Sequence, residues 1–114
     1  ALPADWSRLW DGREPLHLPG GGRLVLEGAD AFDGPLRVHA RRGGERMLMP
    51  GRTHSHSLKH LLQDSDCPPW VRRRTPLLSD SGGRLLAVGD GLLSGTFEAW
   101  LRERGARLRW HDMA

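Results

Sequence analysis

Apolar residues in this chain come in short runs, and glycine or proline closes nearly every one. Leu16 and Leu18 flank His17, and Pro19-Gly20-Gly21-Gly22 then turns the chain. Leu24 and Leu26 alternate with Val25 and Glu27. Leu36, Val38 and Ala40 share one face of a third run, which leaves Arg37, His39 and Arg41 on the other, open face. Gly43-Gly44 is a turn, and Met47-Leu48-Met49 is stopped by Pro50-Gly51. A two-residue period in such short runs specifies strands, not helices. Leu77-Leu78 and Arg84 to Val88 read as a hairpin around Asp80-Ser81-Gly82-Gly83, and Leu108-Arg109-Trp110 as a closing strand.

Three segments break that period. Ser57 to Ser65 reads as a helix: Ser57 or Ser55 serves as N-cap and Leu58, Leu61 and Leu62 form the apolar stripe. Lys59, His60 and Gln63 then face solvent. Pro68-Pro69 opens a second helical turn, since proline is tolerated at the first positions, and Trp70 and Val71 are expected to pack inward. Phe97 to Arg104 reads as a surface helix. The first ten residues read as a poorly ordered lead-in from which Trp6 and Trp10 could dock on a core. Many short strands with a few short helices predict an α+β fold. A length of 114 residues predicts one domain spanning 1–114, able to bury about two-thirds of its unfolded surface.

The single cysteine, Cys67, excludes an internal disulfide and points to a reducing compartment. No apolar run approaches the roughly 20 residues that span a bilayer, so no membrane partner is expected. The opening ALPADWSRLW lacks the pattern of a signal peptide, and the missing initiator Met suggests a piece of a longer protein.

Charge is unevenly placed. From Arg37 to Arg74 there are eight Arg and one Lys against Glu45, Asp64 and Asp66, a net of +6 in a chain of net +3. Sixteen of the seventeen basic residues are Arg, whose planar fork grips phosphate at two points. GC-rich coding could account for Arg over Lys, but not for clustering. Arg41, Arg42, Arg46, Arg52, Lys59, Arg72, Arg73 and Arg74 come from a strand, a turn and two helices. Several elements bearing one charge predict a shaped phosphate-binding face. A positive saddle suits double-stranded RNA, which is recognised by backbone shape and 2′-hydroxyls. Trp70 is the one candidate for base stacking, but beside Pro68-Pro69 it is read as a core anchor.

Other chemistries are poorly supported. Ser81-Gly82-Gly83 continues as Arg84-Leu85-Leu86 and lacks the Asp-Ser that a pyrophosphate-binding Ser-Gly-Gly-x-Asp-Ser loop needs. No G-x-x-x-x-G-K-[ST] occurs. His54, His56, His60 and Cys67 fall within fourteen residues, yet match no zinc spacing, so no metal and no cofactor is assigned to this chain. Cys67 reads as a small apolar filler, not a nucleophile. Glu45 reads as a partner orienting Arg46 or Arg52 by ion pairing. No catalytic residue is identified.

The ordered set Arg42-Gly43-Gly44-Glu45-Arg46, Pro50-Gly51-Arg52, Ser57-Leu58-Lys59-His60-Leu61-Leu62-Gln63, Pro68-Pro69-Trp70-Val71-Arg72-Arg73-Arg74, Pro76-Leu77-Leu78 and Gly83-Arg84-Leu85-Leu86-Ala87-Val88 resembles the C-terminal domain of tRNA(Ile)-lysidine synthetase. The likeness covers about residues 37–89; 91–104 aligns poorly. It implies a cytoplasmic bacterial ligase whose N-terminal ATP-pyrophosphatase domain, with ATP and Mg, lies outside this chain. That domain would join lysine to the wobble cytidine. The present domain would engage the acceptor stem of tRNA(Ile) through Arg41, Arg42, Arg46, Arg52, Lys59 and Arg72 to Arg74, without catalysis of its own. The implied fold is a layered β/β/α arrangement similar to a domain of the phenylalanyl-tRNA synthetase β subunit. The family usually has Tyr-Asp after Pro-Leu-Leu, where this chain has Ser79-Asp80. Two alternatives stay open: a structural or homodimerising domain of the same enzyme, and a small metal-binding domain.

Overall fold

The computed structural model describes residues 2–65 and 67–112; Asp66, which flanks Cys67, lies outside them, as do the chain ends Ala1, Met113 and Ala114. Among the described residues ten strands and three helices follow one another: β1 (Ser7–Trp10), β2 (Leu16–His17), β3 (Arg23–Glu27), β4 (Leu36–His39), β5 (Arg46–Met47), β6 (His56–Ser57), α1 (Leu58–Asp64), α2 (Pro69–Arg72), β7 (Leu77–Ser79), β8 (Leu85–Val88), β9 (Leu92–Leu93), α3 (Gly95–Arg104) and β10 (Arg107–His111). The fold is α+β, as the mixture of periods predicts.

The strands form a five-stranded sheet in the order β1-β4-β7-β8-β9, a three-stranded sheet β10-β3-β2 and a hairpin β5-β6. Every pairing is antiparallel. Strand pleating sorts the side chains of the large sheet onto two faces. Val38, Leu78 and Ala87 join one core with Leu24, Leu26 and Leu108 of the small sheet and Phe97 and Leu101 of α3. Leu77, Leu85 and Val88 join a second core with Met47 of β5 and Leu58 and Leu62 of α1. The result is layered: small sheet with α3, large sheet, then α1 with the β5-β6 hairpin. β7 and β8 are therefore buried along their whole length, which is why their sequences run apolar without alternation.

Local chemistry fixes the ends. The Ser57 hydroxyl accepts from His60 N–H at 3.2 Å and caps α1. α3 starts on Ser94, whose hydroxyl accepts from Phe97 N–H, and ends on Gly105 in the left-handed conformation. In the β7-β8 turn, Asp80 Oδ1 accepts from the amides of Gly82 and Arg84, both at 2.9 Å. That uses amides a phosphate would need, so the Ser-Gly-Gly segment is a hairpin turn and does not fit a nucleotide.

The start of the chain and Trp70 depart from the sequence expectations. The start of the chain is not a loose lead-in over the described residues: β1 pairs along β4, Trp10 is buried, and Leu2 N–H donates to Arg73 O at 3.0 Å. The sequence SRLW does not alternate, so only its pairing partner makes it a strand. Trp70 is not a core anchor but 64% exposed. Val71 and Arg72 are the half-buried residues of α2, which has no buried residue.

Candidate nucleic-acid interface

The face of the large sheet that α1 leaves uncovered forms an open groove. Arg37 and His39 of β4, Ser79 of β7, and Arg42, Glu45 and Arg46 from the loop after β4 line it. β4 lies between β1 and β7, so the alternation that sets Arg37 and His39 on one side carries them to the groove. Arg37 stays exposed and donates to Ser7 Oγ at 2.6 Å. His39 differs from expectation: it is buried at the base, not displayed on an open face. Its Nδ1 lies 2.9 Å from Ala40 O and its Nε2 2.8 Å from Ser79 Oγ. A carbonyl only accepts, so Nδ1 carries the hydrogen and, in the neutral ring, the Ser79 hydroxyl donates to Nε2.

Glu45 shapes the rim by a route other than the expected ion pair. Its carboxylate accepts from Arg42 N–H at 2.8 Å and Gly43 N–H at 2.9 Å, folding the Gly43-Gly44 turn around itself. Both glycines have positive φ, 98° and 79°, which disfavours other residues there. Arg46 donates from Nε to Ser55 Oγ and from Nη2 to Ser55 O, at 2.9 and 2.8 Å. This fixes the guanidinium without neutralising it.

The predicted basic set divides. Arg42 and Arg46 sit on the groove rim beside Arg37, and half-buried Arg41 precedes them. Arg52 and Lys59 are exposed, in the loop after β5 and on α1. Arg73 is exposed on the end of α2. Its two neighbours are committed to the fold. Arg72 donates from Nε to Cys67 O at 2.7 Å and from Nη2 to Leu62 O at 3.0 Å, which closes the C-terminal end of α1. Arg74 donates to Asp112 Oδ2 at 2.7 Å and to Trp70 O at 3.2 Å.

Ion pairing sets the window apart. Arg13, Arg102, Arg104 and Arg109 each lie within 4 Å of a carboxylate, at separations from 2.6 to 3.8 Å. Among the described residues, Arg37, Arg41, Arg42, Arg46, Arg52, Lys59 and Arg73 make no ion pair. Among the described residues, four of the eight arginines outside the window are thus ion-paired, against one, Arg74, of the nine basic residues inside it. Sequence reasoning found this segregation. It missed Ser79 and the groove, because Ser79 meets Arg37 only through the β4-β7 register.

The histidines gather less. His56 and His60 stack with centroids 6.4 Å apart, and His60 Nε2 lies 3.4 Å from Asp64 Oδ2. Among the described residues no three His, Cys, Asp or Glu side chains come together as a metal site needs. Cys67 is half-buried against the second core.

Residues 36–110 match the family model of the TilS substrate C-terminal domain. The chain belongs to that family. Three tRNA(Ile)-lysidine synthases are among its relatives. That of Xylella fastidiosa (strain Temecula1) is 56% identical over 95% of this chain and 26% of its own length. That of Xanthomonas campestris pv. campestris (strain 8004) is 53% identical over 98% of this chain and 26% of its own. That of Pseudomonas aeruginosa is 44% identical over 96% and 24%. The chain spans about a quarter of the length of the curated relatives it matches. A crystal structure of a TilS C-terminal domain superposes with a TM-score of 0.67 at 26% identity, covering 96% of this chain and 99% of that one. The family match begins at β4, so β1 to β3 lie outside it, while the solved TilS domain covers nearly all the layers described here.

Proposed function

We propose that this TilS C-terminal domain holds the acceptor stem of tRNA(Ile). A catalytic domain of the same enzyme, using ATP and Mg, would then join lysine to the wobble cytidine. The role is positional: docking the stem delivers the anticodon loop to a distant active site and removes orientational freedom from the encounter. The observation that carries this reading is the unmatched basic window, in which Arg37, Arg42 and Arg46 ring a groove and Arg52, Lys59 and Arg73 extend the face. Unpaired guanidinium groups repel one another, and a polyanion relieves that repulsion.

Phosphate contacts position a nucleic acid without reading its sequence. Arg42→Ala with Arg46→Ala is therefore expected to weaken binding of an acceptor-stem minihelix by a similar factor for every stem sequence. A loss confined to stems bearing one particular base pair would contradict phosphate docking, as would unchanged binding.

A further inference from the structure

The fold disposes of its tryptophans unequally. Trp10 is buried, and Trp6, Trp100 and Trp110 pack against the first core. Trp70 alone stands out, 64% exposed. Leaving an indole in water forgoes the apolar burial the other four obtain.

The backbone beneath it is held from several sides. α2 is only four residues long and would not persist alone. Pro68 and Pro69 restrict its entry, and Arg72 ties it to Leu62 O and Cys67 O. Thr75 Oγ1 donates to Val71 O at 2.6 Å. Arg74 grips Trp70 O and, through Asp112, the end of β10. An exposed aromatic on a fixed turn is preorganised for a flat partner. Arg73, exposed and unmatched, lies three residues on, at helical spacing.

We propose that Trp70 is a stacking platform for one unpaired nucleobase beside the bound RNA stem, with Arg73 against an adjacent phosphate. The charge of the surrounding window favours a polyanion over an apolar protein segment as the occupant. Bases inside an A-form stem have both faces covered, whereas an unpaired base is free to lay a face on the indole. Stacking of this kind tolerates any base.

The inference rests on the RNA-binding reading, and its test separates the two. This chain, Trp70→Phe and Trp70→Ala are titrated with a blunt acceptor-stem minihelix and with the same stem carrying a single-stranded 3′ extension. The extension is expected to tighten binding by the unaltered chain about tenfold, within the range of one base–aromatic stack. Trp70→Ala should lose that gain, Trp70→Phe should keep most of it, and affinity for the blunt stem should not change. Fluorescence quenching by the extended stem should disappear in Trp70→Phe. Equal binding of both stems by the unaltered chain would overturn the stacking role and leave RNA docking standing. No binding of either would remove both. A dimer that dissociates on Trp70→Ala would show that a second copy covers the indole, and would also overturn the proposal.

Discussion

At the scale of single residues, the basic window contains two kinds of arginine that substitution separates. Arg72→Ala leaves Cys67 O without its donor and Leu62 O with only the Ser65 hydroxyl, and is expected to cost about 1–3 kcal/mol of stability. Arg52→Ala removes an exposed side chain with no described partner and should leave the denaturation midpoint nearly unchanged while weakening RNA binding. Denaturant titration and RNA titration of both variants check this; equal stabilities would contradict the bracing role of Arg72. Ser79→Ala tests the groove floor. It deprives buried His39 Nε2 of its hydroxyl partner and should destabilise by about 1–3 kcal/mol, as read from chemical denaturation. Charge was legible in the sequence, but commitment was not. RRR at 72–74 looks uniform, and only the folded chain shows that one member faces outward and two are bonded inward.

At the scale of elements, alternation and capping were the readable signals. The sequence shows β3, β4, the β7-β8 hairpin and α1 because each carries its own pattern or cap. β1 is set by long-range pairing with β4, and the two-residue strands β6 and β9 by hairpin pairing with β5 and β8; all three have little pattern of their own. α2 was visible in Pro68-Pro69, but its inward face was not, since a four-residue helix takes its orientation from its anchors. The junction of β3 with β10 offers a sharp test. Gly28 has φ +84°, and a Cβ there would lie 2.5 Å from Gly105 O and 3.0 Å from Ala106 Cα. Both neighbours are backbone and cannot swing away, so Gly28→Ala is expected to lose more than about 2 kcal/mol of stability. Gly34→Ala, with nothing within 4 Å and no positive φ, is the control and should lie within about 1 kcal/mol of the parent chain in the same denaturant titration. Equal midpoints for the two variants would contradict the close packing of these turns.

At the scale of the whole molecule, two sheets and a helical layer carry a charge pattern that follows the chain and survives folding. Among the described residues, every arginine ion pair but that of Arg74 lies outside the window, and the groove forms on the part of the large sheet that α1 leaves uncovered. The layered order was implied by family resemblance, whereas the groove needed the β4-β7 register and was not legible. The central claim is that this face docks an RNA stem by its phosphates. Titrating the chain with tRNA(Ile) and with an acceptor-stem minihelix at several salt concentrations tests it most directly. Binding is expected to fall steeply with salt, with a log–log slope corresponding to roughly four or more neutralised phosphates, and the minihelix should retain it. Absence of binding to either RNA at low salt, or a slope near zero, would contradict the claim.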